Sequence, residues 1–124
     1  MDFQEFKTRI NTDIPVDNVL DNPGGGTSTI TAVSDDKISY MRGGSTIYVS
    51  FQELYDAYSK YRGQKVTSSD LKVYRPSVFD SAAKPSGHSC NCTFLFLLLS
   101  RIGEANGIQG AGVRGNPYFV EVSG

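Results

Sequence analysis

Residues 86–103, SGHSCNCTFLFLLLSRIG, collect most of the side chains in this chain that could do chemistry. They hold the single histidine, His88, and both cysteines, Cys90 and Cys92, in the spacing His-x-Cys-x-Cys. Three such ligands suggest zinc, but a closed tetrahedral site takes four donors, and the chain has no further His or Cys to supply one. A Cys–His nucleophilic pair needs a third group to orient the base, and none can be assigned from the sequence. A disulfide between cysteines so close along the chain is strained, so both read as reduced thiols filling small apolar spaces. No nucleophile elbow, acidic nuclease cluster or metal triad stands elsewhere. The sequence points away from catalysis, cofactors and metals, and towards binding.

The small polar residues of the same stretch indicate where binding would occur. Ser89, Asn91 and Thr93 stand before an apolar run, residues 94–99, that is far short of the roughly 18 residues needed to cross a bilayer and so must be core. Each of the three can cap a helix that ends at Gly103. The free N–H groups and dipole of such a helix start favour an anion, and Arg75 and Arg114 are the arginines expected to come near it. The competing reading is that the three side chains cap the helix and do nothing else.

The rest of the chain has to position that stretch. At 124 residues, with 39% hydrophobic residues and no tryptophan, it is one domain with a single modest core. The start, MDFQEFKTRI, has acids where a secretory signal has basic residues, and a cytoplasmic protein with no membrane segment is expected. Phe3, Phe6 and Ile10 space one face of a short helix or packing arm. Pro15 and the run Asn22-Pro23-Gly24-Gly25-Gly26 then interrupt it, so residues 1–26 read as an N-terminal arm and linker and residues 27–124 as a single α+β domain.

Three segments rich in Thr, Ile, Val and Tyr, Thr27–Val33, Lys37–Arg42 and Ser45–Ser50, predict an antiparallel three-stranded meander. Asp35 and Asp36 fall at its first turn, where Asp is favoured for local hydrogen bonding rather than for acid–base work. Ser50-x-x-Glu53 is a capping box that starts a helix at Phe51, with Phe51, Leu54, Tyr55 and Tyr58 on one face. Thr67-x-x-Asp70 opens a second helix, flanked by Val66 and Leu71 and ending before Pro76. The apolar helix follows, and residues 108–122 read as two strands around a glycine-rich turn that carries Arg114. Three helices and then a hairpin is a winged-helix-like order. The predicted fold is α+β: the meander followed by a helical, winged-helix-like half ending in a β-hairpin.

Charge divides along the chain although the net value is only −1. Residues 1–59 carry four Lys and Arg against nine acids, and residues 60–114 carry eight against three. The second half can hold an anion, or the two halves can pair with each other in the fold or between subunits. Basic and aromatic residues alternate in residues 60–75, as stacking and phosphate contact require and as a solvated helical hairpin also shows. Gly110-x-Gly112-x-x-Gly115 spells a dinucleotide fingerprint, but Pro117 and a strand follow where a helix should begin, so its mechanism is absent. Duplex DNA recognition through the third helix meets a physical objection, because residues 94–99 offer no polar side chain to base edges. Contact with DNA would run through residues 60–75 instead.

Taken together, RGGSTIYVSFQELYDAY, VFDSAAKPSGHSCNCTF and GAGVRGNPYFVEV resemble small proteins of bacterial viruses that counter the Thoeris defence system. Those proteins are sponges that sequester cyclic ADP-ribose signals, some of them cyclic oligonucleotides as well, and the resemblance covers residues 28–122. It implies a non-enzymatic homo-oligomer, acting in the cytoplasm of the infected bacterium, that encloses its ligand between subunits. On the same basis Phe79 and Arg114 would sandwich the adenine, Asn91 with its neighbours His88, Ser89 and Thr93 would meet ribose or phosphate, and Arg42 would be a further phosphate partner. The alternative is a winged-helix-like DNA-binding module of a bacterial defence or regulatory system. A third reading is an interaction protein assembled through its Phe3/Phe6 arm and tyrosine-rich helix.

Overall fold

The computed structural model describes residues 1–124 and is mixed α+β. The elements run α1 (Phe3–Asp13), β1 (Val19–Asp21), β2 (Thr27–Val33), β3 (Lys37–Arg42), β4 (Ser45–Ser50), α2 (Phe51–Lys60), β5 (Lys65–Thr67), α3 (Ser68–Tyr74), α4 (Pro76–Phe79), α5 (Cys90–Arg101) and β6 (Phe119–Glu121). Strands β1 to β4 form one antiparallel sheet in sequence order, with a bulge between Ile30 and Ala32. The three meander strands have the predicted bounds, and local chemistry explains their turns. Ser34 Oγ donates to Asp36 Oδ1 at 3.0 Å and accepts from the Lys37 N–H at 3.1 Å, so the paired acids do turn work. Gly43 supplies the positive φ of the next turn.

A boundary after residue 26 does not divide this molecule. The side chains of Phe6, Ile10 and Ile14 are wholly buried in the same core as Ile30, Leu54 and Leu98. Strand β1, from the segment read as linker, pairs with β2, and the glycine run is the turn between them, closed by Asn22 N–H on Gly26 O at 3.0 Å. Three residues are too few to display the alternation by which a strand is recognised, which is why β1 and β5 were not legible.

Two N-caps set the helices that frame the site; the reciprocal half of the box expected at Ser50–Glu53 does not form, because the Glu53 carboxylate turns to Arg75. Ser50 Oγ accepts from Glu53 N–H at 2.9 Å to start α2. Thr67 and Asp70 satisfy each other's backbone N–H groups at 3.0 and 2.9 Å to start α3, with Val66 and Leu71 buried on either side of the cap. Helix α5 is buried along nearly its whole length, residues 91–96 included, and stacks Phe94 on Tyr40 of β3 with ring centroids 3.8 Å apart. The C-terminal segment folds back on itself: Gln109 and Phe119 exchange both backbone hydrogen bonds at 2.9 Å. Its one regular strand, β6, pairs with β5. No helix is long and apolar enough to cross a membrane.

Candidate functional site: a cationic cleft between β3, α3, α5 and the glycine-rich loop

Arg42 at the end of β3, Ser89 and Thr93 at the start of α5, and Arg114 in the glycine-rich loop line one open cleft of about 400 Å³. Helix α3 adds Ser68, Ser69 and Lys72, and Tyr118 closes the side towards the loop. Three cations therefore face the cleft from three separate elements, and no acidic side chain lines it. Lys72 and Arg114 take part in none of the molecule's four ion pairs. Arg42 Nη1 donates to Thr93 Oγ1 at 3.1 Å, and Thr93 in turn donates to the Cys90 carbonyl at 3.3 Å. One guanidinium is thereby aimed while its charge stays uncompensated.

The aromatic wall is held by glycines. A Cβ on Gly112 would stand 2.3 Å from the Tyr118 ring, one on Gly110 would stand 2.1 Å from the Pro117 carbonyl oxygen, and one on Gly24 would stand 2.9 Å from the Tyr118 hydroxyl. The spelled fingerprint thus serves the chain's own close packing at two of its three glycines.

Several expected ligand contacts are structural instead. Asn91 lies inside α5 and is buried; its Oδ1 accepts from Tyr40 Oη–H at 2.7 Å and its Nδ2 donates to the Val78 carbonyl at 2.9 Å. Its amide is spent inside the core, tying the sheet and α4 to α5. Phe79 is wholly buried and cannot stack on a ligand. Arg75 is drawn to the opposite partner set, Glu53 at 2.8 Å and Asp56 at 3.3 Å on α2, and rests on the Tyr74 ring. The hydrogen bond from Arg75 to Glu53 raises its pKa further, and Arg75 does not line the cleft. Ser89 is the residue before α5, but its own dihedrals are helical and its side chain caps nothing. It exchanges hydrogen bonds with Ser81 at 2.8 and 3.1 Å, fixing the loop that closes over Gly87.

His88 faces a second, adjoining cleft of about 610 Å³ with Asn22, Gly26, Thr27 and Thr46. Arg42 and Cys90 border both clefts. The cysteines differ: Cys90 is half-buried, whereas burial pushes the Cys92 thiol up to about 12 and leaves it unreactive at neutral pH. Nowhere do three or more His, Cys, Asp or Glu side chains gather as a metal site requires.

Reasoning from sequence missed Ser68, Ser69, Lys72 and Tyr118. Lys72 sits in the basic stretch 60–75, but its direction depends on where α3 packs. Comparison with protein-family models, with curated proteins and with solved structures found no significant match to the chain.

Proposed function

We propose that this protein is a non-enzymatic binder that sequesters a nucleotide-derived anion in the cleft between β3, α3, α5 and the glycine-rich loop. The observation that carries this reading is the set Arg42, Lys72 and Arg114, three cations from distant parts of the chain around one cleft without an acid. Cations gathered around a concave site attract phosphate, and Arg42 is already held there by its bond to Thr93. Hydroxyls of Ser68, Ser69 and Thr93 supply orientation, and Tyr118 takes the stacking role that the resemblance implies for Phe79. The ligand class that this chemistry suits, in line with the resemblance to anti-Thoeris sponges, is a cyclic ADP-ribose isomer or a cyclic oligonucleotide. Binding would withhold an immune signal in an infected bacterium, in a homo-oligomer whose subunits close the open side of the cleft.

Calorimetric titration with cyclic ADP-ribose isomers tests the reading. Heat on binding, followed by recovery of unaltered ligand from the heated complex, is the expected result; no heat with any isomer or cyclic oligonucleotide, or a chemically altered product, would sink it. Lys72→Ala and Arg114→Ala should each weaken binding by about tenfold or more, since a charge-assisted hydrogen bond is worth about 1.5–3 kcal/mol.

The second reading, a winged-helix-like DNA-binding module, draws on the order α2, β5, α3, α5, β6 with Gln109 bridged to Phe119. Burial of α5 weighs against it, and so does the commitment of Arg75 to Glu53 and Asp56. It requires duplex binding that falls steeply with salt and is lost when Lys60, Arg62 and Lys65 are neutralised.

A further inference from the structure

We propose that β4 is the edge along which two copies of this chain pair, antiparallel, into one continuous sheet. The four-stranded sheet has two edges, and they are built differently. Strand β1 is three residues long, ends in Asp21 and stands between Pro15 and Pro23, the features by which an edge is blunted. Strand β4, STIYVS, is six residues long, carries no charge and no proline, and keeps regular register with β3 across all six pairs. An edge of that kind is a template for another strand.

The backbone groups available there can be named. Gly43 and Gly44 form a two-residue turn, so the flanking pair Arg42/Ser45 is hydrogen-bonded and the alternation turns the N–H and C=O groups of Thr46 and Tyr48 away from β3. Strand β4 has β3 as its one neighbour, and no backbone hydrogen bond outside the helices and strands involves residues 45–50, so no other backbone pairs with that side. The outer face beside the edge also exposes apolar side chains: Tyr48 is 66% exposed, and Met41 and Val19 stand exposed in one cross-strand row through Thr29. The occupant that fits is a second copy of the same strand. Two uncharged strands meet without like-charge repulsion, the two-fold pairing uses the same edge on both copies and leaves neither free, and each Tyr48 is covered by the other chain.

This pairing needs no ligand, so its test is separate from that of the nucleotide reading. Sedimentation velocity of the ligand-free protein over a concentration series is expected to give dimers, alone or within a larger even-numbered assembly. Thr46→Pro removes an outward N–H without touching the β3 ladder, and should weaken pairing about tenfold or more. Tyr48→Lys places a charge on the same edge and serves as a second variant should the proline disturb the hairpin, with circular dichroism checking that each stays folded. A wild-type protein that remains monomeric at every concentration, or an assembly unchanged in both folded variants, overturns the proposal.

Discussion

Asn91 shows how a side chain that looks like a ligand contact can be the pin of the core. Its amide meets one donor, the wholly buried Tyr40 hydroxyl, and one acceptor, the carbonyl of the half-buried Val78. Asn91→Ala leaves the buried Tyr40 hydroxyl without a partner, at a cost of about 1–3 kcal/mol, while the Val78 carbonyl keeps the His88 N–H at 3.1 Å. Urea unfolding should therefore report a loss of about 1–3 kcal/mol. Any loss of ligand affinity in that variant should follow its loss of folded protein rather than a missing contact. Arg42 is the converse case: its bond to Thr93 aims it and leaves its charge available, so the same residue type as Arg75 has a different use because no carboxylate stands beside it.

At the scale of elements, the cleft depends on a loop that owes its shape to glycines. Gly112 has φ +70° and lies against the Tyr118 ring, so Gly112→Ala meets both a strained backbone and a collision with the wall of the cleft. The expected result is a fall in ligand affinity of about tenfold or more with a smaller change in unfolding midpoint, because the loop is exposed and lies outside the core. Titration calorimetry and a thermal melt on the same variant measure the two effects separately. Helix α3 matters to the same cleft through its reciprocal Thr67/Asp70 cap, which fixes the start of the helix and with it the direction of Lys72.

At the scale of the molecule, the N-terminal helix is part of the core and not an appendage. Phe6→Ala should cost about 3–5 kcal/mol in denaturant unfolding, as for other wholly buried aromatic side chains. A second molecular property is the pH window set where α2 meets the chain after α5. Burial, with the hydrogen bond to Glu104 and its charge, pushes the Tyr58 hydroxyl up to about 12, and burial raises Tyr40 as well. A raised folded value means that the unfolded chain releases these protons first, so stability is full below pH 10 and falls as pH rises above it. The Tyr58 and Arg9 hydrogen bonds hold the Glu104 carboxyl below its usual 4.5, so its contribution is lost as pH falls through that lowered value. Thermal melts across pH should show a plateau between these limits, and Tyr58→Phe should blunt the alkaline decline.

Local patterns determined much of this protein directly from its residues. The meander strands, the caps at Ser50 and Thr67, the turn at Asp35 and Asp36, and the burial of the apolar run that starts at Phe94 all follow from propensity, spacing and hydrophobicity within a few positions of each residue. The arrangement of the site did not. Arg42, Thr93 and Arg114 were named as candidates together with Phe79, Asn91 and Arg75, and nothing in the residue types separates the first three from the last three. Their fates depend on which partners lie across the fold: a tyrosine and a carbonyl for Asn91, two carboxylates for Arg75, the packed core for Phe79, and open solvent for Arg114. Those partners are up to fifty-one residues away in the chain, and contacts at that separation are set by how the sheet packs on α5, which no local pattern encodes.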